Sequence, residues 1–288
     1  MNDNEWRFID VKTAVDKSLI VVAALLMCAG ASSAAELHPI VEVQSGYLFG
    51  ATGDGKWVKA DEIAKALPDQ VTYVVYSLTE SLGEVKGGKP KGESGRCEGT
   101  LFVGLLDKPE KGAIALAAPW NALPRKLRPL DTTQTVYIDA VGGFLKTKGI
   151  TEPKVKIDSI FRVDLDGDGE DEVLISATNY FSQNKSMPMR SPAGSYSMVL
   201  LRRVVAGKVE TQLVAGEFHP TAYQRKGSDE DASFDAPNAY KVIGAFDLDG
   251  DGKMEIVISS NYYEGEEITI YRCDPKKIEA LLSVACGA

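Results

Sequence analysis

The sequence predicts a mainly β chain: an α+β N-terminal part followed by two four-strand β units. Three observations carry this. An acidic dozen is written twice, "DLDGDGEDEVLI" at Asp164–Ile175 and "DLDGDGKMEIVI" at Asp247–Ile258. Strand-like stretches recur in the same order around both copies. Helical periodicity is confined to the residues before about 152.

Taking the elements in order, Leu19–Ala31 ("LIVVAALLMCAGA") is an apolar run following Lys12 and Lys17. It is shorter than the ~20 residues a membrane span needs. Small residues at Ser33 and Ala35 complete a secretory signal pattern, with cleavage expected after Ala35. Cys28 does not fit a lipid-attachment site, because Met27 stands where a small residue is required. The acidic stretch Met1–Asp16 is unusual for a signal and leaves open a translation start downstream, as at Val11.

Residues 36–152 read as an α+β module. "VEVQSGYLFGATGDGKWVKA" predicts two strands around a turn at Asp54–Gly55. A short helix follows, with Asp61 as N-cap, Ile63, Ala66 and Leu67 apolar, and Pro68 ending it. "VTYVVYSL" and "TLFVGLL" are strand-like, and the Gly- and Lys-rich Glu84–Arg96 between them reads as an exposed loop. A second helix is expected over Thr133–Lys148. Tyr137, Val141, Phe144 and Leu145 share one face, and Gly149 stands at the C-terminal cap.

Residues 153–288 read as two β repeats, 153–217 and 239–288, joined by an acidic connecting segment, 218–238. In the first, "VKIDSIFRV" alternates so that Val155, Ile157, Phe161 and Val163 share a face. The acidic loop, "VLISATNY", "SMVLLRRVV" and "VETQLVAG" follow. In the second, "YKVIGAF", the acidic loop, "IVISSNYY", "EITIYRC" and "IEALLSVAC" keep the order. Ser176 matches Ser259, Tyr180 matches Tyr263, and Lys208-Val209-Glu210 matches Lys277-Ile278-Glu279. A four-strand unit of this length is the size of one β-propeller blade.

Within each acidic dozen, counted from its first Asp, carboxylates fall at positions 1, 3, 5 and 9. These are Asp164, Asp166, Asp168 and Glu172, then Asp247, Asp249, Asp251 and Glu255. Gly169 and Gly252 at position 6 permit a sharp bend. Alternate acids on a curled loop converge on one point. A hard cation with oxygen ligands, Ca²⁺ before Mg²⁺, is what such a point takes, and two ions are expected. Glu170 and Lys253 at position 7 would supply main-chain carbonyls. An EF-hand is excluded in its full form: position 12 is Ile175 or Ile258, inside a strand.

This strand–loop–strand form resembles the FG-GAP or VCBS repeat, which carries a DxDxDGxx[DE] loop in calcium-binding propeller blades. The resemblance covers about Val155–Ala288 and is nearer the VCBS type. It implies Ca²⁺-binding, blade-like units. A full propeller of that family usually has seven blades, and this chain is too short for seven beside its N-terminal module.

The formal net charge is −9, and the two acidic loops together account for all of it, so the acidity is local. That argues against a nucleic-acid partner. After signal cleavage no membrane span is expected, and the location is secreted or periplasmic. The mature chain would hold Cys97, Cys273 and Cys286. In the last hairpin Cys273 sits beside the turn at Asp274–Lys277 while Cys286 ends the returning strand. At about 3.3 Å per residue that separates them by roughly 26 Å, beyond the ~7 Å limit for a bridge. Cys97–Cys286 is therefore the expected disulfide.

No GxSxG, HExxH, Walker loop or CxxC occurs, and the two histidines, His38 and His219, lie in no ligand or triad motif. His38 reads as a surface residue. Trp57, Trp120, Tyr180 and Tyr263 suit core packing better than a sugar-binding surface. Two functions remain. One is a secreted, calcium-stabilised binding or structural module for an unknown protein or glycan. The other is an extracellular polysaccharide- or lipid-acting enzyme, which paired acids in a cleft would favour.

Overall fold

The computed structural model describes residues 36–287 except 94, 96, 183–186, 189 and 223–236. The predicted signal segment lies outside these residues, as does most of the acidic connecting segment. From Glu36, β1 (His38–Glu42), β2 (Leu48–Gly53) and β3 (Lys56–Lys59) run antiparallel. The chain thus forms three strands where the sequence suggested two. Asp54 and Gly55 both take positive φ, 49° and 70°, which lets a two-residue turn follow the strand twist. Helix α1 (Ala60–Ile63) is a single turn. Lys59, not Asp61, is its N-cap, and Asp61 lies in the first turn, where its charge favours the helix dipole.

β4 (Val71–Tyr76) pairs with β5 (Ser81–Gly87), so the start of the expected loop at Glu84 is strand. Gly87 has a packing reason: a Cβ there would meet the Tyr73 ring at 2.5 Å. β6 (Lys91–Gly92) and β7 (Leu101–Phe102) form a small ribbon, and only these two residues of "TLFVGLL" form a named strand. β8 (Ile114–Leu116) was not legible, being three residues in an alanine-rich run, yet it lies in the middle of the sheet β3-β2-β1-β8-β4-β5. Burial on both faces, rather than β propensity, makes it a strand.

β9 (Arg128–Pro129) precedes helix α2 (Thr135–Thr147). Gly149 (φ 88°) closes that helix, with Ile150 N–H donating to Leu145 O (3.1 Å) and Gly149 N–H to Lys146 O (3.1 Å). Val141 and Leu145 are buried, with Tyr137 and Phe144 half-buried beside them.

Two antiparallel meanders follow. The first contains β10 (Ile157–Val163), β11 (Glu172–Thr178), β12 (Ser195–Val205) and β13 (Lys208–His219), with β9 added outside β10. The second contains β14 (Ala239–Phe246), β15 (Glu255–Tyr262), β16 (Gly265–Asp274) and β17 (Lys277–Gly287). The expected common face of β10 is split. A bulge between Ile157 and Ser159 shifts the register, so Val155 and Ile157 pack toward α2 while Phe161 and Val163 face the opposite core.

Side-chain alternation then divides the interior in three. Ile40, Phe49, Leu174, Leu201, Phe246 and Ile270 belong to a core shared by all three large sheets. Val41, Leu48, Val75 and Ala115 pack on the other face of the first sheet with Ile63 of α1. Ile175, Met198 and Leu200 pack on the other face of the first meander with Val141 and Leu145 of α2. Each large apolar side chain so buried contributes about 1.5–3 kcal/mol. The described residues from Glu36 to Gly287 form one compact unit, mainly β, with two α-helices among them.

Candidate metal centre: two acidic loops

Each acidic loop joins the first two strands of a meander: loop 1 is Asp164–Asp171 between β10 and β11, and loop 2 is Asp247–Met254 between β14 and β15. A tight return leaves main-chain N–H groups without sheet partners, and short acidic side chains accept from them. Asp164 accepts from Gly167 N–H (2.7 Å) and Gly169 N–H (3.1 Å). Asp247 accepts from Gly250 (2.7 Å) and Gly252 (3.1 Å). Asp166 and Asp249 accept from Asp168 and Asp251, both at 3.3 Å. Asp168 accepts from Glu170 (2.7 Å) and Asp251 from Lys253 (2.8 Å). Glu172 reaches back to Leu165 N–H (2.8 Å) and Glu255 to Leu248 N–H (3.1 Å). Each of these bonds in one loop has its counterpart in the other.

Two glycines per loop, not one, need the left-handed region: Gly167 (79°) and Gly169 (90°), then Gly250 (77°) and Gly252 (85°). The position-6 glycine was legible in the sequence; the position-4 glycine was not singled out.

In loop 1, oxygens of Asp164, Asp166 and Glu172 lie within 4.8 Å of one another. In loop 2, the converging set is Asp247, Asp249 and Asp251. Asp168 and Glu255 are outside these sets. The Lys253 side chain pairs with Asp274 at 3.9 Å. Oxygen-only donors that converge in this way suit a hard divalent cation.

Electrostatics agree. Burial pushes Glu172 above the usual carboxylate range, and Asp166 and Asp168 add to the push against the Leu165 N–H and Arg203. Burial likewise raises Asp247 and Asp249, helped by neighbouring acids. Glu255 is pushed up to about 8, by burial first and then Asp249, despite Leu248 N–H and Arg272. Excess negative charge at a converging point is what a bound cation offsets.

Residues distant in sequence lace the loops together. Arg125 donates to the carbonyls of Asp164, Leu165 (3.1 Å) and Gly252 (2.7 Å), touching both loops. Met254 N–H donates to Leu165 O at 2.8 Å. Trp120 Nε1–H donates to Asp247 O (2.9 Å), and Thr52 Oγ1–H to Leu248 O (2.9 Å). Arg272 pairs with Asp249 and, at 3.5 Å, with Glu255, beneath the Trp57 ring. None of these partners was legible from local sequence. His38 is buried rather than exposed: its ring meets Trp120 at 4.6 Å and Nδ1 lies 3.1 Å from Ala117 O. Of the other aromatics, Tyr180 is buried, Trp57 and Trp120 are half-buried against the shared core, and Tyr263 is exposed.

Compared with family models, curated proteins and solved structures, the chain matches none.

Cys97 and Cys286 lie at disulfide distance, with Cα atoms 4.6 Å apart. In the last hairpin Cys273 faces Ile278 beside the turn, while Cys286 faces Glu266 at the far end. Burial pushes the Cys273 thiol up to about 12. The cysteine pair walls a cleft of about 620 Å³ that also presents Tyr47, Glu93, Glu264 and Glu266. Glu266 accepts from Tyr47 OH (3.0 Å) and Ser45 Oγ (3.1 Å). No described helix is long and apolar enough to cross a membrane.

Proposed function

We propose that this chain is a secreted or periplasmic calcium-stabilised β module, built on two blade-like repeats of the VCBS type, whose surface meets a protein or glycan. The observation that carries this is the repeated set of main-chain bonds that gathers carboxylates at one point in both loops. The cysteine pair at disulfide distance supports an oxidising compartment. In this reading Ca²⁺ replaces carboxylate repulsion with attraction and fixes the loop ends of the strands. At a hundredfold excess over Kd, one ion adds about 2.7 kcal/mol to stability. Thermal unfolding in Ca²⁺, in Mg²⁺ and in chelator tests it. The melting temperature should be highest in Ca²⁺; equal values in Ca²⁺ and chelator remove the reading.

The glutamate-lined cleft favours a second reading, an extracellular glycan-cleaving enzyme, since paired carboxylates are what glycoside hydrolysis requires. Release of reducing ends from polysaccharide, abolished by Glu264→Gln, would support it; activity retained in that variant would place any chemistry elsewhere.

A further inference from the structure

We infer that Arg272 is the resident cation of loop 2, and that it leaves loop 1 as the one loop open to a diffusible divalent ion. The inference rests on the calcium reading above and deepens it. Arg203 and Arg272 hold matching places: each lies on the third strand of its meander, opposite Glu210 and Glu279 respectively. Their contacts differ. Arg203 donates to the Cys273 carbonyl at 3.1 Å and leaves Glu172 to converge with Asp164 and Asp166.

Arg272 instead turns its guanidinium onto loop 2. It pairs with Asp249, whose side chain is 6% exposed, and with Glu255, 1% exposed. Trp57 lies over its other side, 5.7 Å from ring centroid to guanidinium carbon. Glu255 lies outside the converging set that its counterpart Glu172 joins, and Asp249, which stays in the set, is held by Arg272. An ion entering loop 2 must therefore displace a fixed, multiply bonded cation; among the described residues no ion pair engages the converging carboxylates of loop 1. A planar guanidinium engaging two buried carboxylates is well suited to hold such a place.

The test is calorimetric titration of Ca²⁺ into the full chain after chelator treatment. Wild type should bind one ion. Arg272→Gln should bind two, the added ion being lost again in Arg272→Gln/Asp251→Asn. Asp166→Asn should abolish binding in the wild-type background. Two ions of like affinity in wild type overturn the inference whether or not the Arg272 variants fold, and so does a folded Arg272→Gln that still binds one. No binding in any variant instead removes the calcium reading itself.

Discussion

Loop 1 and loop 2 share the same set of main-chain bonds to their own carboxylates but sit in different surroundings. In loop 1 the described ion pairs lie at the rim: Arg128 and Arg162, with side chains 61% and 52% exposed, both pair with Asp171. In loop 2 the cation goes to the centre, where Arg272 meets two nearly inaccessible carboxylates. The DxDxDG spacing therefore sets the path of the backbone, while residues on distant strands decide how much negative charge remains for a ligand. A loop motif by itself states geometry, not occupancy.

The largest expected effect comes from breaking the centre of loop 2. Arg272→Leu leaves Asp249 and Glu255 buried without a cation beside them, and removing one member of a buried pair costs about 3–5 kcal/mol. Urea unfolding in chelator should show that loss, and added Ca²⁺ should restore much of it. If Arg272→Leu unfolds at the wild-type midpoint, the two loops do not differ in the way described.

Arg125 joins the loops rather than distinguishing them. Arg125→Ala removes donors to three carbonyls, one of them on the opposite loop, and should destabilise by about 2 kcal/mol in either buffer. A double-mutant cycle with Gly167→Ala sharpens this, because the Arg125 guanidinium lies 3.2 Å from the space a Cβ at Gly167 would fill. Additivity there would mean that Arg125 acts on loop 2 alone. The smallest effect belongs to the rim. Arg162→Ala should shift stability by no more than ~0.5 kcal/mol and lose even that in high salt. A loss comparable to that of Arg272→Leu would erase the contrast between rim and centre.

Much of this was legible because it is local. Position-6 glycine, alternate acids, the Asp54–Gly55 turn and the Gly149 cap each announce themselves within a few residues. The meander strands show as well, since β-branched alternation persists over seven or more residues. What escaped is non-local or compositionally quiet. β8 is a strand only because neighbours cover both faces. The bulge in β10 moves a face with no signal in residue type. Arg125 reads as one more cation after a proline until the fold carries it 127 residues to Gly252. His38 looked exposed because Trp120, which covers it, is distant in sequence.

The Cys97–Cys286 pairing gives the chain a mechanical property. β17 is an edge strand, and edge strands peel away one hydrogen bond at a time when pulled from an end. With Cys286 bonded to Cys97, tension applied at Gly287 passes into the segment before β7, and the hairpin of β16 and β17 is bypassed. The bond spans 189 positions and encloses both meanders in one covalent ring. Stretched from its two ends, the oxidised protein should therefore yield a short extension, with the enclosed residues shielded from force. The reduced protein should unravel from β17 inward at lower force.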